Sequence, residues 1–290
     1  MKKIISVLLV LTILLSFGTA FAADAGDSRA VVGADLTDEQ VSTVYNTFGV
    51  RRGDVAELKV TNAEERSYLD GLVDNSVIGS RSISCVYVEL LPAGDGMKIE
   101  VSNITWCTKE MYINALATAG ITDAKLIITA PFGVSGTAAL TGVYKAYEDL
   151  TGEKISEEAK MTSTEELVIT AEMADEIGAI DATKIVNELK KILAETVNMT
   201  DDEVRAEIRR IASELNVSIG DTIVNQLVKL CRSLEGLDDA ELEARVEEAQ
   251  KTIQNLAKAQ TTLTKIGEAV TGFFKSIGDF FANLFGGKKD

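Results

Sequence analysis

Along the first half of the chain, the spacing of apolar residues alternates between that of helices and that of strands. Apolar positions three and four residues apart predict one helix at the capping box Thr37–Gln40 and another after Thr108. Segments rich in β-branched residues predict strands at Ser82–Leu91 and Lys98–Trp106, and turn-forming residues lie between them at Pro92–Gly96. We therefore expect these two strands to pair as a hairpin.

The most continuous pattern begins at Ala124 and predicts a buried strand, a turn rich in glycine and serine, and a helix. The strand is Lys125–Thr129 and the turn is Pro131–Thr137. A strand, a helix and a second strand in succession imply parallel pairing, here between Lys98–Trp106 and Lys125–Thr129. The first half is therefore expected to be a mixed β-sheet with covering helices, and the fold class is α+β.

The pattern of the second half, from Glu153 onward, is helical. Apolar residues recur at three- and four-residue steps in the segments 163–177, 182–197, 201–215 and 218–233, and a long charged helix is expected at 237–259. We divide the chain into a signal peptide at 1–22, an α+β domain at 31–155, an all-helical domain at 156–262 and an amphipathic C-terminal helix at 263–290.

The first residues have the features of a secretory signal peptide. Lys2 and Lys3 precede the apolar run Ile4–Phe17, and the small residues Ala20 and Ala22 fit a cleavage site. The run is short for a membrane span, and no second apolar run of about 20 residues follows it. We expect a secreted or extracytoplasmic protein.

The composition of the chain restricts its chemistry. The chain has no histidine, 45 acidic and 29 basic residues, and a formal net charge of −16. The lack of histidine excludes Ser-His-Asp and Cys-His catalysis and the commonest zinc sites, and we expect no metal and no cofactor. Acidic pairs such as Glu64-Glu65 are interpreted as solvated helix starts. An acidic surface repels nucleic acid, which is not an expected partner.

The three cysteines allow two interpretations, and the sequence leaves both open. A secreted chain permits a disulfide, which would join Cys85 and Cys107 in the first half. Alternatively, these two residues and Cys231 are buried thiols that pack as small apolar side chains.

Five short strings occur in one order between residues 31 and 154. They are Gly33–Thr37, Ile78–Ser84, Asn103–Trp106, Asn114–Gly120 and Ala130–Leu140. In these strings the chain resembles the YpuA-like family of secreted Gram-positive proteins, a family of unknown function. The resemblance implies an extracytoplasmic protein and assigns no catalytic residue. Past residue 180 the chain is similar to the family only in its helical character.

The turn at 131–137 is the first candidate ligand site. It leads into a helix, so that Ser135, Gly136 and Thr137 would present hydroxyls and backbone N–H groups to a phosphate or a carboxylate. The turn lacks the lysine of a phosphate-binding P-loop. A tight turn with an ordinary helix cap is the alternative explanation.

Three more polar or aromatic residues would share a cleft with this turn. Asn103 and Trp106 end the neighbouring strand, and ligands favour the carboxyl ends of strands in open sheets. Arg81 would complete the cleft. Ordinary strand-end hydrogen bonding and a half-buried tryptophan are the alternative explanation.

The last segment, 263–290, has the sharpest amphipathic pattern, with its apolar residues within an arc of about 140°. The residues expected to make contact are Phe273, Phe274, Ile277, Phe280, Phe281 and Phe285. Three glycines weaken this helix in water, which suits a segment that binds a membrane surface or a partner groove. Docking on its own domain or in a homo-oligomer is the alternative.

Two functions remain after these exclusions. The first is a non-enzymatic secreted or cell-envelope protein that contacts a membrane surface or a partner through 263–290. The second is a small anionic-ligand binder, or an enzyme that needs no histidine, which uses the turn at 131–137. The absence of histidine favours the non-enzymatic function.

Overall fold

The computed structural model describes residues 24–237, 241–256 and 258. A five-stranded sheet has the spatial order β2–β1–β3–β5–β4. The strands are β1 (Ser28–Gly33), β2 (Ala56–Val60), β3 (Cys85–Leu90), β4 (Lys98–Val101) and β5 (Ala124–Thr129). Two pairs, β1–β2 and β4–β5, are parallel, and the pairs β1–β3 and β3–β5 are antiparallel. The expected mixed sheet is confirmed, and with it the α+β class.

Helices alternate with the strands in the first half and form most of the second. They are α1 (Asp38–Phe48), α2 (Asn62–Leu69), α3 (Asn75–Ile78), α4 (Lys109–Thr118), α5 (Thr137–Thr151), α6 (Glu157–Ile177), α7 (Ala179–Lys191), α8 (Leu193–Thr196), α9 (Asp201–Glu214) and α10 (Asp221–Glu235). Residues 242–256 are also helical.

The predicted hairpin between β3 and β4 is wrong, because β5 lies between these strands. β5 pairs antiparallel with β3 and parallel with β4, which leaves β4 at the sheet edge. The connection at Pro92–Gly96 crosses the start of β5. Leu91 N–H donates to the Asp123 carbonyl at 3.0 Å, and Gly96 N–H donates to the Asp123 carboxylate at 2.8 Å. The nearly complete burial of β5 suits a strand inside a sheet.

The two faces of the sheet have separate apolar cores. α4 and α5 cover one face, where Val86, Leu126 and Ile128 are fully buried. α1 covers the other face through residues such as Phe48. Gly142 allows α5 to approach the sheet closely, since a Cβ at this position would lie 3.1 Å from the Val86 Cγ1 atom.

Helix α6 links the sheet to the helical part of the chain. Its Leu167 and Ala171 pack into the core of the sheet, whereas Ile169 and Met173 pack with α7, α9 and α10. Among the described residues, no helix has both the length and the apolar character of a membrane span. The segment 263–290 lies outside the described residues, and its amphipathic helix stays a prediction.

The disulfide considered for Cys85 and Cys107 is not formed, because both residues and Cys231 are buried free thiols. Cys85 belongs to the core under α1, and Cys107 belongs to the core on the opposite face of the sheet. Burial raises the pKa of both thiols to about 12, so they stay protonated at neutral pH. The cysteines therefore act as small apolar side chains.

Candidate functional site

A cleft of about 460 Å³ opens where the end of β4, the turn after β5 and the segment from α3 to β3 meet. We name it the Trp106 cleft. It is lined by residues between 76 and 84, by Thr105 and Trp106, by residues between 132 and 138, and by Glu65. Three of the five strings that carry the family resemblance contribute to it.

Backbone hydrogen bonds hold two walls of the cleft together. Thr105 N–H donates to the Val134 carbonyl at 2.8 Å, and Val134 N–H donates to the Asn103 carbonyl at 3.2 Å. The bridge between Ile104 and Val134 thereby extends the parallel pairing of β4 and β5. The end of the β4 segment lies beside the turn at 131–137, as its sequence predicts.

Three of the six predicted site residues, Arg81, Trp106 and Ser135, line the cleft. Arg81 is exposed and donates to the Asp35 carbonyl at 2.7 Å. The Trp106 indole N–H donates to the Asp175 carboxylate at 3.1 Å, which ties the ring to α6. The cleft therefore brings together a guanidinium, an indole and a hydroxyl from three separate parts of the chain.

The other three predicted residues, Asn103, Gly136 and Thr137, do not line the cleft. Asn103 has a positive φ of 56°, and its side-chain amide donates to the Ala130 carbonyl at 2.8 Å. Gly136 caps α5 with a φ of 102°, and its carbonyl accepts from the buried Tyr112 hydroxyl at 2.7 Å. Strand-end hydrogen bonding and helix capping account for these positions.

Glu65 on α2 is a cleft residue that the sequence interpretation missed. Its side chain is only 2% exposed, so it is not a solvated helix start. The Thr137 hydroxyl donates to its carboxylate at 2.6 Å, and the Asn62 amide donates at 3.4 Å. Burial raises the pKa of Glu65, and these two hydrogen bonds only partly offset the increase. Its spacing of four residues from the buried Leu69 is the signal that places it on the inner face of α2.

The start of α5 is already occupied by this carboxylate. Thr137 is the first residue of α5, and its hydroxyl is engaged by Glu65. Ser135 donates to the Val77 carbonyl at 3.0 Å. An anionic ligand at the helix start would therefore meet an acidic group and hydroxyls with internal partners. Among the residues that line the cleft, Arg81 is the cationic side chain.

A second cleft, of about 500 Å³, lies between α2, α5 and the start of α6. Its lysines are compensated internally: Lys145 pairs with Glu64 at 2.6 Å, and Lys160 pairs with Glu148 at 2.8 Å. This cleft therefore offers a ligand less uncompensated charge than the Trp106 cleft does. The described part of the chain contains no cluster of three or more potential metal-ligating His, Cys, Asp or Glu residues.

Residues 32–270 match a family whose description is "Protein of unknown function (DUF1002)". The chain belongs to this family. The "Uncharacterized protein YpuA" of Bacillus subtilis is 42% identical to it over 198 residues, which cover 67% of this chain and 68% of that protein. No solved structure matches the chain. The resemblance seen in the five strings is confirmed, and the family assigns no activity to the Trp106 cleft.

Proposed function

We propose that this DUF1002 protein is a secreted or cell-envelope binding protein without enzymatic activity, and that its Trp106 cleft holds a small anionic ligand with an apolar part. The observation that carries the proposal is the presence of Arg81 and Trp106 in one open cleft. A guanidinium binds a carboxylate or phosphate through paired N–H groups, and aromatic rings supply apolar contact area. The signal-peptide pattern at 1–22 supports export.

Apolar surface beside Arg81 supports a ligand that is more than a simple ion. Phe132 is 46% exposed at the mouth of the cleft, although large apolar side chains are usually buried. Together with Trp106 and Val134 it offers a wall for an aromatic or aliphatic group. A ligand with both features would cover this wall and place its charge on Arg81.

The hydroxyls near the cleft support binding better than catalysis. A nucleophilic hydroxyl requires a base within hydrogen-bond reach and access to the substrate. Ser135 donates to a backbone carbonyl, and Thr137, which does contact a carboxylate, is only 3% exposed. An enzyme with Glu65 as general acid is the alternative, because burial raises the pKa of this carboxyl. Recovery of a chemically altered ligand would favour that alternative.

The single tryptophan of the chain gives a direct test, because its fluorescence reports on the cleft. We expect aromatic carboxylates or aryl phosphates to change this fluorescence on titration and to raise the melting temperature. Arg81→Gln should weaken binding about tenfold or more, since a hydrogen bond to a charged group contributes about 1.5 to 3 kcal/mol. Arg51→Gln is the control, because this exposed arginine pairs with Asp54 away from the cleft.

Two outcomes would contradict the cleft proposal. One is the absence of any fluorescence or thermal response to both classes of ligand. The other is a loss of affinity in Arg51→Gln that equals the loss in Arg81→Gln. The first outcome would leave the cleft without a ligand of the proposed chemistry, and the second would show that only the overall charge of the protein matters.

The segment 263–290 carries a second proposal, which is contact with a membrane surface or a protein partner. The supporting observation is the one-sided placement of the phenylalanines in the sequence. Deletion of 265–290 should abolish co-sedimentation with lipid vesicles or with cell envelopes. Phe280→Asp should reproduce most of this loss, whereas Asp279→Asn, on the polar side, should not. Unchanged association of the truncated protein would refute the proposal.

A further inference from the structure

We propose that the free edge of β4 pairs with the β4 edge of a second copy of this chain, in an antiparallel arrangement centred on Ile99. β4 is the last strand of the sheet, and its outer side has no neighbouring strand in the described part of the chain. Among the described residues the surface beside it is open, since a cleft of about 530 Å³ is lined by residues between Ile99 and Glu110. This proposal is independent of the ligand proposed for the Trp106 cleft.

Hydrogen bonding to β5 determines which backbone groups of β4 point outward. Ser102 N–H donates to the Ile128 carbonyl at 3.0 Å, and Val101 is the register partner of Ile128. In a parallel ladder, alternate residues of a strand bond to the same neighbour. Lys98, Glu100 and Ser102 therefore face β5, and the N–H and C=O groups of Met97, Ile99 and Val101 face the free edge.

These outward groups fit a twofold axis at Ile99. In that register Ile99 lies opposite its own copy, and Met97 lies opposite Val101 of the second copy. All of these residues have outward backbone groups, so each opposed pair exchanges two N–H···O bonds, about six in total. A register shifted by one residue would place inward-facing groups at the interface and would lose these bonds.

Charge complementarity favours the same register. Lys98 of each copy lies opposite Glu100 of the other, in the positions between hydrogen-bonded pairs, where side chains are closest. Both side chains are exposed on the sheet face opposite to the buried Ile99. The strand is thus self-complementary, and a single edge sequence provides two opposite-charge pairs.

Among the described residues of one copy, Lys98 has no strong ion pair that would compete with Glu100 of a second copy. Its register partner on β5 is another lysine, Lys125. Its own ion pair, with Asp95 at 3.2 Å, joins two exposed side chains and is therefore weak. Lys125 already pairs with Glu89 at 3.5 Å. Glu100 of a second copy would therefore add a carboxylate to Lys98, whose own ion pair is the exposed one with Asp95.

The opposite edge of the sheet, β2, is protected against pairing with another chain. This difference between the two edges supports β4 as the edge that pairs with a second copy. On β2, the Lys145 ammonium donates to the outward Lys59 carbonyl at 2.7 Å. Proteins commonly protect exposed edge strands in such ways, because an unprotected edge pairs with another chain. The described residues provide no comparable side-chain donor to the outward carbonyls of β4.

Charge reversal of the full chain tests the register. Wild-type protein should sediment as a dimer at micromolar concentration. Glu100→Lys and Lys98→Glu should each weaken dimerisation about tenfold or more, because both ion pairs become repulsive. An equimolar mixture of the two variants should form heterodimers, since each Lys then faces a Glu. The double variant should dimerise as the wild type does. Glu214→Lys, on α9 away from the β4 edge, makes the same charge change and should have little effect.

A backbone variant tests the hydrogen bonds separately. Val101→Pro removes an outward N–H and leaves the bonds to β5 in place, which edge strands tolerate. It should weaken the dimer while circular dichroism stays that of the wild type. A monomeric wild type at high micromolar concentration would overturn the proposal. So would a dimer that ignores both charge reversals, because it would use another surface.

Discussion

Two buried glutamates, Glu65 and Glu166, are stabilised in different ways. Glu166 on α6 is fully buried, with the Lys190 ammonium at 2.6 Å and the Thr118 hydroxyl at 2.5 Å. Glu65 on α2 is almost as deeply buried, but its hydrogen-bond partners are the neutral hydroxyl of Thr137 and the neutral amide of Asn62. One side of Glu65 also opens on the Trp106 cleft.

The difference separates a structural ion pair from a group that can respond to its surroundings. The Glu166–Lys190 pair joins α6 to α7, and Lys190 also donates to the Asn114 carbonyl of α4 at 3.1 Å. Opposite charges at this distance satisfy each other inside the protein. Glu65 has only neutral donors, so burial favours its protonated form and leaves it sensitive to pH and to a bound ligand.

The largest effect is expected from breaking the ion pair at Glu166. Lys190→Met leaves an uncompensated buried carboxylate, so the free energy of unfolding should fall by about 3 to 5 kcal/mol. Urea denaturation measures this loss. The double variant Glu166→Met with Lys190→Met should recover most of it, because no buried charge remains.

The neighbouring lysine on α7 provides the control for this prediction. Lys191 is partly exposed and pairs with Glu188 one turn away. Lys191→Met should change stability by no more than about 0.5 kcal/mol. If Lys190→Met were as mild as Lys191→Met, the Glu166 site would not depend on its ion pair, and the contrast with Glu65 would disappear.

A smaller loss is expected at the support of the Glu65 site. Gly136 has a φ of 102°, and a Cβ there would lie 2.5 Å from both the Ile104 side chain and the Tyr112 hydroxyl. Gly136→Ala should therefore cost about 2 to 4 kcal/mol through backbone strain and overpacking. Gly152→Ala is the control: its φ of 72° is also positive, but nothing lies within 4 Å, so about 1 kcal/mol is expected. Equal losses, measured by thermal unfolding, would contradict the close packing around Gly136.

Local sequence signals were sufficient to predict individual helices, strands and caps. The capping box at Thr37 and Gln40 is formed as its spacing predicts. The apolar run of β5 is a buried strand, and α5 begins at Thr137. In each case the sequence signal lies within a few residues along the chain, although the strands that flank β5 come from more distant segments.

Local sequence signals failed to predict the features that depend on contacts between distant parts of the chain. The place of β4 beside β5 rather than β3 depends on the order of strands in the sheet, which a turn sequence does not encode. The partners Glu166 and Lys190 are separated by 24 residues, and Glu65 meets Thr137 across 72 residues. The cleft residues Trp106 and Ser135 were predictable because the parallel pairing of β4 and β5 brings the ends of these strands together. Arg81 reaches the same edge because it precedes β3, which pairs antiparallel with β5.

A pH series distinguishes Glu65 from its neighbour on the same helix. The pKa of Glu65 in the folded state is raised above its ordinary value of 4.5, so the folded protein binds the proton more tightly than the unfolded chain. Protonated Glu65 therefore contributes to the free energy of unfolding. This contribution is fully present below the pKa of the unfolded chain and is lost as the pH rises through the pKa of the folded protein. Relative to Glu65→Gln, wild-type protein should therefore become less stable as the pH rises through this window, in urea denaturation at a series of pH values.

Glu64→Gln should show the opposite trend. Burial alone would raise the pKa of Glu64, but hydrogen bonds from Lys145 and Thr61 outweigh it and lower the pKa. The contribution of Glu64 is therefore present above its unfolded pKa and is lost as the pH falls through its folded pKa. Parallel trends for the two variants would show that Glu65 is not the protonatable group of the cleft.

The smallest loss of stability is expected at Trp106. Substitutions there can separate the structural role of the side chain from its proposed role in ligand binding. Trp106→Phe removes the hydrogen bond to Asp175 and should cost about 0.5 to 1.5 kcal/mol of stability. Asp175→Asn retains an acceptor oxygen and should cost less. Because Phe keeps an aromatic face in the cleft, ligand-induced thermal shifts should persist in Trp106→Phe and decline in Trp106→Ala. If Trp106→Ala kept the full ligand response, the aromatic wall would have no part in binding, and the Glu65 side of the cleft would be as purely structural as the Glu166 site.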